Sequence, residues 1–79
     1  MTIAKHVLLV DDHDATRETL TEVVRDMGHQ VSSAGDLSQA LEKAEESAFD
    51  LVLTDLKLPD GTGLEVMRRV KLLTPRRRW

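Results

Sequence analysis

Val7-Leu8-Leu9-Val10-Asp11-Asp12 decides how this chain folds. Four consecutive apolar residues, two of them β-branched, read as a short strand covered on both faces, and two carboxylates end it. A second run, Leu51-Val52-Leu53-Thr54-Asp55, has the same form and also ends on a carboxylate. Acidic groups at the C-terminal ends of neighbouring parallel strands converge on one crevice. There they can hold a hard divalent cation and present one oxygen as a nucleophile.

Working outward, residues 5–10 form the first strand. Asp14 is placed to cap a helix over residues 15–27, whose Leu20, Val23, Val24 and Met27 recur at i, i+3, i+4 and i+7 and predict one buried face. Gly28 stops that helix. Residues 30–34 form a weaker strand. Asp36 and Gln39 make a capping pair for a second helix, with Leu37, Ala40, Leu41, Ala44 and Ala48 as its stripe. Residues 50–54 are the third strand, and 55–62 a loop shaped by Pro59 and Gly61. Thr62 and Glu65 form a capping box for a third helix through Val66, Met67, Val70 and Leu73, closed by Pro75. The order βαβαβα implies a parallel sheet with right-handed crossovers and helices on both faces.

The chain has 79 residues, a formal charge of −3 and no cysteine. That is one domain at most, short of the usual size of about 100–150 residues. The charge argues against general nucleic-acid or membrane attraction, and no apolar run approaches the roughly 18 residues of a membrane span. The absence of thiols excludes a disulfide framework or thiolate metal site and suits a reducing compartment, so the expectation is a cytoplasmic chain without a membrane partner.

Three carboxylates in one crevice repel one another, and a bound Mg²⁺ relieves the repulsion while leaving coordination sites for a phosphoryl oxygen. A carboxylate is also a competent nucleophile toward phosphorus. A single strand-end Asp commonly just initiates a turn or caps a helix; the combination of Asp11, Asp12 and Asp55 carries the functional reading. His13 is expected to be a solvent-facing loop residue, although it lies within reach of the site. His6 and His29 have no ligand spacing and read as structural or surface residues. Arg17 either pairs with a carboxylate or is solvated.

Val10-Asp11-Asp12 followed by Arg17, and Asp55-Leu56-Lys57-Leu58-Pro59 with Gly63, resemble the receiver domain of two-component response regulators. The segment from Leu53 through Leu64 is similar to the transcriptional-regulator branch of that family. The resemblance implies an α/β, flavodoxin-like, three-layer fold, here cut to βαβαβα with strand order 2-1-3. It implies that Asp55 is the phosphoacceptor and that Mg²⁺ is held directly by Asp12, with Asp11 helping through water, and by Asp55 and the backbone carbonyl of Lys57. The donor would be a phosphohistidine on a sensor histidine kinase or a phosphotransfer protein, or a small acyl phosphate, with the kinase docking near residues 15–22. Such a module is a phosphoacceptor rather than an enzyme.

Receiver domains have five βα units, and this sequence supplies three. A Ser or Thr ends the family's fourth strand and a Lys its fifth; neither Lys57 nor Lys71 stands in that lysine's place. Residues 1–74 therefore read as a partial receiver domain with impaired phosphoryl transfer, and residues 75–79 as a basic tail outside it. Nucleic-acid binding through that tail has weak support. A second reading is a non-catalytic interaction remnant that self-associates through the open edge of the third strand. A haloacid-dehalogenase-like phosphatase is disfavoured because position 57 is Lys where that family has a second Asp.

Overall fold

The computed structural model describes residues 4–73, with the side chain of Leu73 excepted. The elements run β1 (His6–Val10), α1 (Asp14–Asp26), β2 (Gln30–Ala34), α2 (Leu37–Glu46), β3 (Leu51–Thr54), β4 (Lys57–Leu58), β5 (Gly61–Thr62) and α3 (Gly63–Leu73). The main sheet is parallel, in the order β2-β1-β3, as expected. Val10 pairs with Ala34 on one side and Thr54 on the other, so β1 and β3 end level and Asp11 and Asp55 leave the sheet side by side.

The helices form two outer layers. Packed against α2 and α3 is the core proper, where Leu8, Val10 and Val52 meet Ala40, Phe49, Val66 and Val70. Val7 and Leu9 alternate to the opposite face, toward α1. At the base of the sheet, the His6 ring packs against Phe49 at a tilt of 48°, with ring centroids 4.3 Å apart. The carbonyl of Ala48 can only accept, so Nδ1 of His6 donates to it, and Nε2 then accepts from the Ser32 hydroxyl. His6 thus ties β2 to the segment that precedes β3, and His29 accepts from the Lys5 amide.

Four expectations need correction. First, Asp14 does not cap α1 but is its first residue. His13 holds the N-cap position without a side-chain cap bond. An aspartate in the first turn still favours the positive end of the helix.

Second, the α1 stripe is only partly covered. Leu20, Val23 and Met27 are exposed, Val24 is half-buried, and Thr21 is the residue the helix buries. The cause is placement: α1 packs on β2 and β1, and the stripe overhangs. Third, β3 is not covered on both faces, since Leu51 and Leu53 lie exposed on the α1 side, 47% and 39% accessible.

Fourth, the segment expected as a loop contains a two-stranded antiparallel hairpin, Lys57 opposite Thr62 and Leu58 opposite Gly61. Pro59, with φ preset by its ring, opens the turn, and Leu58 anchors it in the core.

Two further stripe positions also stay out of the core, since Ala48 lies beyond the end of α2 and is exposed and Met67 is exposed on α3, whereas the turn and cap signals act as read. Gly28 takes φ 92°, a conformation that L side chains rarely adopt. Asp36 accepts from the Gln39 amide at 2.7 Å, and Thr62 from the Glu65 amide at 3.2 Å. Pro75 and the basic tail lie outside the described residues.

Candidate functional site: an acidic crevice at the strand ends

The expected carboxylates meet. Asp11, Asp12 and Asp55, together with His13, each offer a ligand atom, and those atoms all lie within 4.8 Å of one another. The parallel ladder sets this up. The Asp55 amide donates to the Val10 carbonyl at 2.9 Å, and the Asp11 amide to that of Ala34 at 3.0 Å. Both residues leave the sheet at the same height.

Each carboxylate is held differently. Asp11 is the most enclosed, its side chain 13% accessible, and Oδ1 accepts from the His13 amide at 2.9 Å. That backbone bond holds the Asp11 carboxyl below the usual range, against the opposing effect of desolvation, and the His13 imidazole and Arg17 guanidinium add to it. Asp12 is exposed. Asp55 is half-open, with Oδ1 accepting from the Leu56 amide at 2.8 Å. Beside it a groove of about 350 Å³ runs from Asp11, Thr54 and Asp55 to Leu20 and Leu53.

Glycine 63 fixes how closely α3 can approach this crevice. Its amide donates to the Leu56 carbonyl at 3.0 Å, and a β-carbon there would overlap the carbonyl oxygen of Asp55. Its φ is not positive, so the position requires the lack of a side chain, not backbone freedom. The hairpin is fastened to α2 as well. Asp60 accepts from the Leu37 and Ser38 amides at 2.7 and 3.0 Å, which holds its carboxyl below the ordinary value. Asp60 has no role legible in the sequence, because a turn aspartate capping a helix distant in sequence leaves no local signal.

Arg17 resolves in favour of pairing, donating to the Asp11 carbonyl at 2.9 Å and to the Asp14 carboxylate at 2.7 Å. His13 is solvent-exposed, as expected, yet its Nδ1 stands 3.1 Å from Asp11 Oδ1, 3.2 Å from Asp12 Oδ1 and 3.9 Å from Asp55 Oδ2. The bond to Asp11, then the charges of Asp12 and Asp11, raise its pKa. Its place directly after the acidic pair was the available signal. Lys57 lies on β4, exposed, two residues beyond Asp55.

With the geometry in view, comparison with known proteins is direct. The sequence model of the response regulator receiver domain matches residues 7–77. The DNA-binding response regulator MtrA of Mycolicibacterium smegmatis is 43% identical over 67 residues, covering 85% of this chain and 29% of that protein. The chemotaxis response regulator CheY4 of Vibrio cholerae superposes with a TM-score of 0.82 at 34% identity, covering 92% of this chain and 60% of that one. TrrA of Thermotoga maritima, solved in complex with Mg²⁺-BeF, gives a TM-score of 0.79 at 34% identity, over 86% and 59% of the two chains.

The chain belongs to the response regulator receiver domain family of two-component systems. It spans less than two thirds of each of these relatives. Receiver domains are signalling domains, not conventional enzymes, and they bind Mg²⁺ at an acidic pocket, to which the Asp11, Asp12 and Asp55 cluster corresponds. The carboxylate donors fit that ion: hard oxygens whose mutual repulsion a divalent cation relieves. Among the described residues, no helix is long and apolar enough to cross a membrane.

Proposed function

We propose that this chain is a Mg²⁺-dependent phosphoacceptor in which Asp55 takes a phosphoryl group from a sensor histidine kinase or a phosphotransfer protein. The observation that carries the reading is the convergence of three strand-end carboxylates, with Asp55 open to a groove beside it. An Asp55 carboxylate oxygen forms the bond to phosphorus as the phosphorus–nitrogen bond of the donor phosphohistidine breaks, and the imidazole leaves with the bonding electron pair. Asp11, Asp12, Asp55 and the Lys57 carbonyl are the proposed ligands of the cation, which supplies charge neutralisation when bound. Arg17 holds the Asp11 backbone in place, and the Leu56 amide orients Asp55.

Transfer by residues 1–79 alone is proposed to be slow, because the family's Ser/Thr and Lys lie on units beyond the three in this sequence. The proposed receiver part is residues 1–74, residues 75–79 being a basic appendage, and the proposed setting is the cytoplasm. Incubation with Mg²⁺ and a small acyl phosphate, read by intact mass, tests the reading. One labile phosphoryl group should appear and should be absent in Asp55→Asn. An equal adduct in that variant overturns it.

A second reading rests on a specific observation. Leu51 and Leu53 are exposed on β3, whose described pairing in the main sheet is with β1 alone. An open edge with an apolar face favours strand addition, and hence a self-associating module without phosphoryl transfer. Light scattering across a concentration series separates the two readings: concentration-independent monomer mass counts against association.

A further inference from the structure

Among the described residues of the acidic cluster, His13 is the side chain that the phosphoacceptor reading leaves without a task. Its Nδ1 lies 3.1 and 3.2 Å from the facing oxygens of Asp11 and Asp12, and 3.9 Å from that of Asp55. In an octahedral shell with bonds of about 2.1 Å, adjacent ligands are about 3.0 Å apart and opposite ones about 4.2 Å. The imidazole nitrogen therefore already stands at near-cis spacing to two carboxylates and near-trans spacing to the third.

We propose that His13 is a nitrogen ligand of the cation site and tilts its selectivity from Mg²⁺ toward borderline transition metals. The inference rests on the phosphoacceptor reading for the site's location, and adds a specificity determinant to it. As placed, Nδ1 donates its proton to the Asp11 carboxylate, which can only accept; a bound cation would displace that proton and take the Nδ1 lone pair in its stead. Carboxylate oxygens suit Mg²⁺, whereas imidazole nitrogen suits Ni²⁺, Co²⁺ and Zn²⁺. The side chain is 70% accessible, so it can adjust toward an ion without disturbing the core. Its backbone is pinned by the bond from its amide to Asp11, which keeps the ring at the mouth of the crevice.

The test is calorimetric titration of the 79-residue chain with Mg²⁺ and, separately, Ni²⁺, at one fixed alkaline pH. The parent, His13→Ala and Asp12→Asn are compared. His13→Ala should weaken Ni²⁺ binding by about tenfold or more while changing Mg²⁺ binding by less than about twofold. Equal effects on the two ions, or none on Ni²⁺, overturn the role of His13. Asp12→Asn should weaken both ions. If the parent binds no Mg²⁺, the cation site itself fails, and this inference with it. If Mg²⁺ binds and depends on Asp12 while His13→Ala leaves Ni²⁺ unchanged, only the ligand role of His13 fails.

Discussion

Replacing Gly63 by Ala places a methyl group against the backbone that carries the proposed acceptor. The added carbon would overlap the Asp55 carbonyl oxygen and lie 3.0 Å from Thr54 Cγ2 and 3.2 Å from the Asp55 carbonyl carbon. No rotamer relieves contact with a main-chain atom, so either the start of α3 or the end of β3 must shift. Overpacking of this kind costs about 1–3 kcal/mol. Against it stands the helix preference of Ala over Gly, at most about 1 kcal/mol and less in a first turn. The net loss is about 1–2 kcal/mol, or roughly 5–15 °C in Tm for a domain of this size. Thermal unfolding by far-ultraviolet circular dichroism measures it, and a parallel Mg²⁺ titration should show weaker binding because Asp55 has moved. A Tm equal to or above that of the parent, with Mg²⁺ affinity unchanged, would refute the argument that close approach determines this position.

Phe49→Ala should remove a ring that is fully buried and packed at a tilt against His6, at a cost of about 3–5 kcal/mol. That compares with a total stability of roughly 4–12 kcal/mol for a chain this long, so amide NMR dispersion should collapse or the denaturant midpoint fall steeply; a midpoint near the parent's would contradict the described core. Asp60→Asn should lower Tm at neutral pH by weakening the link between the hairpin and α2. The native Asp60 carboxyl titrates below its ordinary value of 3.8. Its contribution is therefore complete above that pH and fades as pH falls through the depressed native value. The deficit of the variant should shrink in acid, and one that stays constant would assign the effect to shape instead of charge.

Much of the fold was legible because short-range signals and tertiary packing agree. Two apolar runs ending in carboxylates, Gly28, the Asp36–Gln39 pair and the Thr62–Glu65 box each report a local backbone need that the structure meets. What sequence periodicity could not convey was where each helix sits over the sheet. Leu20, Val23 and Met27 have the spacing of a buried stripe, but burial depends on what lies across from them, and α1 rides over β2 and β1. The three carboxylates could be placed together because strand ends are set by register. Asp60 could not, since a cap across many residues is decided by tertiary geometry, and for His13 the sequence shows proximity to the pair but not the swing of the imidazole onto it. The small hairpin carries no sequence signal because two-residue strands are too short to show alternation.

The most direct test of the account is a titration with beryllofluoride and Mg²⁺ followed by amide NMR. The account predicts perturbations centred on Asp12, Asp55 and Lys57 that require both components and vanish in Asp55→Asn. No change at those amides, or the same change in Asp55→Asn, would contradict the assignment of Asp55 as the phosphoacceptor.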